Sequence, residues 1–338
     1  MFFHHYTPPS SAVGVPIAAL LREGHVGVTV FFVLSGFLIA WNYFEKSRDR
    51  GDGFWGEYLL KRFARIQPAY LALLAVQWLW SGTGRPDSTE VLLNVTLLKG
   101  FFDPFKFTGL PQAWSLTVEE TFYLCAPFLF DAVRRWGLVA AQIAIWPVGL
   151  ALAFGNPEFT ILYTFLGRSL EFTAGIALAL WMLRRPLPRL RHGLLTYTGL
   201  AGCWAATAGM AVLATPQDLG LLHPLGMALN NVVLPAFLVL LFAGLVGEDT
   251  VFARMLGGRA LVFLGRASYA FYLVHYGAMP MWVFPRIAIP DWPLATTLIW
   301  FATANLAAAA VFVLIERPAH RALLRAFRPV PQRATMVA

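Results

Sequence analysis

Residues 26–44, VGVTVFFVLSGFLIAWNYF, carry no formal charge. A helix rises about 1.5 Å per residue and needs about 20 apolar residues to cross the ~30 Å hydrocarbon layer of a bilayer. This stretch is long enough to cross once. Ser35 and Gly36 in its middle lack bulk, so a neighbouring helix can approach closely there, and Lys46, Arg48 and Arg50 follow at once. The feature constrains the chain to a packed membrane helix with a basic flank.

The same length criterion predicts spans near 26–44, 66–80, 116–133, 137–154, 160–183, 194–214, 225–246, 261–283 and 294–315. Composition agrees: 58% of the 338 residues are hydrophobic and 13% charged, against about a quarter charged in soluble domains. The net charge of +8 does not read as nucleic-acid binding, because the basic residues fall in short clusters between apolar runs. Alternating the connections puts Lys46 to Arg65, Arg134 and Arg135, Arg184 to Arg191, Arg254 to Arg266 and Arg317 to Arg333 on one side. By the positive-inside rule that side is cytoplasmic, which places the C-terminus inside and the N-terminus outside. A first helix running from inside to outside, of which MFFHHY is the tail, completes the topology as a bundle of about ten. Residues 1–316 then form a single membrane-embedded domain. Residues 317–338 form a basic cytoplasmic tail whose Leu323, Leu324 and Phe327 among arginines fit a helix lying on an anionic leaflet. No basic region precedes the first apolar residues, and Pro8 and Pro9 interrupt them, so the start does not read as a cleavable signal. Cys125 and Cys203 both lie in apolar runs and read as packing residues, with too few ligands for a zinc site.

Ionisable residues at membrane depth are costly and mark sites of function. His4 and His5 stand at the outer end of the first segment, where an imidazole titrating near neutrality could take a proton from a hydroxyl and return it. Two histidines snorkelling at the interface are the other reading. In WSLTVEETFYL, residues 114–124, Ser115 or Thr117 is expected to cap a helix whose first turn holds Glu119 and Glu120. Glu119, Thr121 and Tyr123 could equally orient a catalytic imidazole and a sugar hydroxyl. In KRFARIQPAY, Arg62 and Arg65 are three apart and leave one helical face, so both could fork onto a phosphate, or merely anchor the loop. Arg168 and Glu171 read as an intrahelical neutralising pair, and Ser268, Tyr272 and His275 as a polar stripe facing other helices or a cavity. No Walker loop, H-E-x-x-H, C-x-x-C or G-x-S-x-G is present, and no metal site is expected.

Taken in order, GHVGVTVFFVLSGFLIAW, KRFARIQPAY, QAWSLTVEETFYLCAPFL, RSLEFTAGIALAL, FLGRASYAFYLVHY and IERPAHR make a sequence that resembles the acyltransferase-3 family of integral membrane acyltransferases. The resemblance covers nearly the whole chain. It implies an all-α polytopic bundle of ten transmembrane helices in a plasma membrane, the inner membrane of a bacterium. It also implies an acyl-CoA donor, acetyl-CoA above all, on the cytoplasmic side and a glycan or lipid-linked sugar acceptor reached from the membrane or the outer side. The family's first helix carries an arginine and, after ten intervening residues, a histidine. Here His5 matches the histidine, with His4 the alternate, while the arginine would precede residue 1, so the sequence is expected to begin inside that helix. The paired arginines match Arg62 and Arg65, as ligands of the CoA phosphates. The W-S-L-x-x-E motif matches Trp114, Ser115, Leu116 and Glu119. Thr29 departs from the pattern, since many relatives carry an acid there. The expected roles are His5 as general base, Glu119 as the carboxylate positioning it, and Trp114, Ser115, Tyr123 and His275 as substrate-binding residues. The alternative function is a multi-pass transporter or flippase for a glycan-related substrate, with Arg168, Glu171 and His275 as its sites.

Overall fold

The structure is a computed structural model that describes residues 1–48, 51, 53–80, 86–156, 161–185 and 193–327. Arg50, Arg189, Arg191 and the tail beyond residue 327, which figure in the topology argument, lie outside the described residues. Within them the fold is all-helical, with no strand. A short helix α1 (Phe2–His5) is followed by α2 (Val15–Arg22), which runs through the turn Glu23–His25 into α3 (Val26–Tyr43). Then come α4 (Phe54–Trp80), α5 (Ser88–Val95), α6 (Trp114–Trp136), α7 (Leu138–Gly155), α8 (Phe165–Arg184) and α9 (Leu194–Leu213). The chain closes with α10 (Pro224–Gly247), α11 (Arg259–Arg266), α12 (Ser268–Val274), α13 (Ala278–Val283) and α14 (Pro293–Ala326). Among the described residues four helices are long and apolar enough to cross a membrane: 15–43, 165–184, 224–247 and 293–326.

The centre of the fold is the pair α3 and α8. Where Gly36 faces α8, a Cβ would lie 2.1 Å from the Phe172 carbonyl oxygen; where Gly175 faces α3, a Cβ would lie 2.0 Å from that of Val33. The two backbones therefore touch, as the small residues at 35 and 36 predict. Phe172 then stacks on Phe32 at 4.8 Å and meets Phe122 of α6 at 4.3 Å, which joins the third helix to the core. By contrast α7 leaves Val139, Ile143, Trp146 and Phe154 exposed, an apolar surface suited to lipid.

Three elements differ from expectation, each for a local reason. The span expected at 66–80 begins at Phe54, so Arg62 and Arg65 sit inside α4 rather than before it. The expected span 261–283 is three pieces, broken at Ala267 and at Gly277, whose φ of 114° suits glycine. Side chains take over the freed backbone groups there: Gln77 Oε1 accepts from Ala278 N at 2.6 Å, and Gln112 Nε2 donates to Leu273 O at 2.8 Å and Tyr276 O at 3.0 Å. In α14 a π turn occupies Phe312–Glu316. Pro318 lacks the N–H that would reach Leu314 O, and its ring crowds that carbonyl. The 316/317 boundary between domain and tail thus falls inside a continuous helix.

One end of the fold gathers arginines. Arg134 of α6 donates to Phe44 O and Ser47 Oγ beyond α3, while Arg65 of α4 meets Glu316 of α14 at 3.6 Å. The other end gathers the residues from Lys99 to Trp114. There the buried ammonium of Lys99 donates to Thr108 O at 2.5 Å and Leu110 O at 2.6 Å, pinning the loop that leads into α6.

Two outcomes follow. Gly36→Leu must separate α3 from α8, so purified protein should lose its monodisperse peak or drop several degrees in thermal midpoint, whereas Gly56→Ala, with nothing within 4 Å, should leave both unchanged. Burial pushes Lys99 down to about 7 from 10.5. The unfolded chain therefore binds the extra proton between those values, and this group makes stability rise with pH across that window. Lys99→Met should remove that slope from thermal midpoints measured in detergent, and should lower the midpoint near pH 7, because two buried carbonyls lose their donor.

Candidate active site

Beyond the loop that Lys99 pins, α1, the turn before α3, the start of α6 and the end of α12 enclose a cavity of about 560 Å³. His5 lies on its wall, stacked on Tyr276 at 4.2 Å with a 21° interplanar angle. Among the described residues no hydrogen bond occupies either ring nitrogen of His5, which leaves one free to take a proton. His4 meets His5 edge to face at 4.7 Å, and its Nδ1 lies 2.5 Å from Arg22 O. That contact makes His4 Nδ1 the protonated nitrogen, since a carbonyl can only accept. His25 completes a cluster of imidazoles, 5.7 Å from His4, with Glu23 Oε2 3.5 Å from its Nδ1. Glu23 is itself held by Gly220 N at 2.9 Å.

The facing wall is aromatic. Trp114, the first residue of α6, packs edge-on against Tyr163 at 4.9 Å, and Tyr163 packs against Phe107 at 5.6 Å. Arg168 also lines the cavity, its Nε 2.6 Å from Glu171 Oε1 and its Nη2 donating to Thr29 Oγ1 at 3.0 Å. The intrahelical pair expected from sequence is present, and Thr29 stands at the guanidinium where an acid would give it a second carboxylate. Aromatic faces with a few fixed polar groups suit a ring bearing hydroxyls.

A second cavity of about 170 Å³ adjoins the first, Met1 and Val28 bordering both. Ser115, Glu119, Ser268 and Tyr272 line it. Ser115 is not a helix cap: Ala113 holds that position with no side-chain bond, and Ser115 Oγ pairs with Tyr272 OH at 2.7 Å. Thr117 does not cap either, because its hydroxyl accepts from Gly100 N at 3.1 Å, and Glu119 and Glu120 lie past the first turn. Glu119 Oε1 accepts from Ser35 Oγ at 2.7 Å and from Tyr123 OH. The carboxylate and the imidazole expected to work together thus face neighbouring cavities, Glu119 the smaller and His5 the larger.

Other expected pairings are also apart. Arg62 lies over the rings of Tyr43 and Tyr123 at 5.9 and 5.8 Å, while Arg65 turns to Glu316, so the two guanidinium groups do not converge on one point. The intervening helices explain this, since α3 and α6 flank one side of α4 and α14 the other. His275 is fully buried behind His5, with rings 5.4 Å apart and its Nδ1 2.7 Å from Tyr272 O. His275 follows the last residue of α12 with its N–H still bonded to Phe271 O, and whereas Ser268 and Tyr272 line the smaller cavity, His275 does not. Among the described residues no group of His, Cys, Asp and Glu could hold a metal ion.

Sequence reasoning missed His25, Glu23, Gln112, Tyr163 and Tyr276. A glutamate and a histidine two residues apart at the mouth of an uncharged run was a usable signal for the first two. The others are brought in by loop geometry that spacing does not encode.

The family of acyltransferase domains matches residues 1–317. The chain is 29% identical to acyltransferase MdmB of Streptomyces mycarofaciens over 78% of its length and 70% of that protein's. It is 27% identical to the exopolysaccharide production protein ExoZ of Rhizobium meliloti, over 87% of this chain and 89% of that one. With the peptidoglycan O-acetyltransferase OatA of Listeria monocytogenes it shares 24% identity over 87% of its length, and spans half of that longer protein. These names lend the transporter alternative no support. No solved structure matches the chain. The match over nearly the whole chain, with the apolar helices and the six ordered motifs, shows that the protein belongs to the acyltransferase-3 family of integral membrane acyltransferases.

Proposed function

We propose that the protein transfers an acyl group, acetyl above all, from acyl-CoA to a hydroxyl of a cell-surface polysaccharide, glycolipid or related glycan. The observation that carries this is the unencumbered imidazole of His5 on the wall of a cavity walled opposite by Trp114, Tyr163 and Phe107, in a chain of this family. The arginine-rich end faces the cytoplasm and receives the donor; the His5 cavity opens to the other side and receives the acceptor.

In the proposed step His5 takes the proton of the acceptor hydroxyl as its oxygen attacks the thioester carbonyl. The C–O bond forms, the C–S bond breaks, and the proton passes to the departing thiolate. Tyr276 holds the imidazole ring by stacking, with His275 packed behind it, so no carboxylate is needed to orient it. Trp114 offers its face to the sugar ring. Ser115, in the adjoining cavity beside Tyr272, turns its one O–H to the carbonyl oxygen as it gains charge, while Tyr272 keeps its own proton on Gln112 O. Glu119 holds Ser35 and Tyr123 and so stabilises the wall between the donor's path and the base. Arg62 and Arg65 act separately, Arg62 beside Tyr123 and Arg65 at the rim where the donor phosphates arrive.

The reading is tested in a membrane preparation given labelled acetyl-CoA and the producing cell's own glycan. His5→Ala should lower transfer by about 10² to 10⁴ while CoA binding persists; retained transfer removes His5 from the mechanism. Trp114→Ala should raise the acceptor KM roughly tenfold with a much smaller change in donor KM. A shift in donor KM alone would place Trp114 on the other substrate.

A further inference from the structure

The arginine-rich end holds a cavity that the expected Arg62–Arg65 clamp does not describe. Its volume is about 390 Å³, and it lies between α4, α11 and the π turn of α14. Arg65, Arg266, Arg317 and Arg321 line it, with His320, and Glu316 is the lone carboxylate among the lining residues. Glu316 is 3% exposed, and Arg65 lies against it at 3.6 Å. Among the described residues Arg266, Arg317 and Arg321 have no carboxylate partner. Among the described residues, four guanidinium groups line the cavity against the one carboxylate of Glu316, which leaves it strongly positive.

The geometry has a local cause. The π turn at Phe312–Glu316 shifts the register of α14, so that Glu316 turns inward to Arg65 while Arg317, His320 and Arg321 border the opening. Wide turns of this kind are rare and recur at functional sites. Phe263 and Phe312 form the apolar part of the lining, edge to face at 6.0 Å. Arginines beside aromatic rings suit a ligand that joins phosphate to a flat heterocycle.

From this cavity we infer, on the footing of the proposed acyl-CoA reading, that Arg266, Arg317 and Arg321 with Arg65 bind the nucleotide end of the donor and select for its 3′-phosphate. Charge decides between the two sources of phosphate at this end. A phosphodiester headgroup of a lipid brings one negative charge. A phosphate monoester brings nearly two at neutral pH, and the adjacent pyrophosphate brings more, which matches the excess of guanidinium groups. Arg62, turned to Tyr43 and Tyr123, lies outside this cavity, so the donor's phosphates are held by α4, α11 and α14 together and not by a pair on α4 alone.

The test is titration of the full-length chain, in phosphatidylcholine nanodiscs, with CoA and with 3′-dephospho-CoA. CoA should bind about tenfold or more tightly than dephospho-CoA, the size of a charge-assisted phosphate contact. Arg317→Gln and Arg321→Gln should bring CoA down to the dephospho-CoA affinity while changing the latter by about twofold at most. Equal binding of the two ligands by the unaltered chain overturns the inference without any variant. If both bind equally and acetyl transfer from acetyl-CoA persists, the donor reading stands and the phosphate assignment alone fails; if neither binds, both fall. Nanodiscs of phosphatidylglycerol separate the lipid source. A site for the donor keeps its preference there, whereas a preference that vanishes, with phosphatidylglycerol retained by the unaltered chain and lost from Arg317→Gln, assigns the cavity to headgroups and overturns the inference.

Discussion

The contact of α3 with α8 through Gly36 and Gly175 is the constraint on which the rest of the structure depends. In lipid there is no hydrophobic gain from bringing two apolar helices together, so association rests on close packing and on polar groups that cannot be left alone. Both operate here at once. The backbones touch at the two glycines. Only at that separation does Arg168 of α8 reach Thr29 of α3, and Phe172 lie flat on Phe32. Ser35, the chain neighbour of Gly36 on α3, reaches Glu119 of α6. Three helices are thereby fixed by one approach, and the cavities on either side of it inherit their walls from them.

Most of the buried charges are matched by a partner from a neighbouring element or turn, while Glu120 keeps one buried carboxylate oxygen without a hydrogen bond among the described residues. Glu171 neutralises Arg168, Glu316 meets Arg65, Glu23 faces His25 and Gly220, and Lys99 is spent on two carbonyls of its own loop. A buried ion left without a partner would cost several kcal/mol, so these pairings also select one arrangement of the helices over others. His5 has no such partner among the described residues. Its ring is held by stacking against Tyr276 and carries no hydrogen bond among the described residues.

Much of this was legible from residue types alone. The small pair at 35 and 36, the neutralising pair Arg168 and Glu171, and the arginine-rich end all follow from what a bilayer tolerates, and the ordered motifs named the family. What was not legible depends on chain geometry over long separations. Glu119 was expected beside His5 because both are polar and near one end, yet Ser35 and Tyr123 hold it in the adjoining cavity. Arg62 and Arg65 were expected to act as a fork because they share a helical face. A spacing of three gives only neighbouring positions on a helix, and long side chains pass to whichever neighbouring helices offer partners. The break at Gly277 was invisible for a similar reason: the apolar run continues through it, and the glutamines that satisfy the broken backbone come from residues 77 and 112.

Gln112 shows how the two neighbouring cavities are tied to each other. It lines the larger one, and its amide holds the carbonyls of Leu273 and Tyr276 where α12 ends. Its own backbone oxygen accepts from Tyr272 OH, whose other partner, Ser115, lines the smaller cavity. Tyr276, on which His5 stacks, therefore sits on a segment fixed by the same residue that fixes the Ser115–Tyr272 pair. On the proposed reading this makes the placing of the base and the placing of the carbonyl donor, Ser115, one structural event. A disturbance of the loop from Lys99 to Trp114 would then reach both substrates together, although neither Lys99 nor the carbonyls it holds touch the reacting atoms.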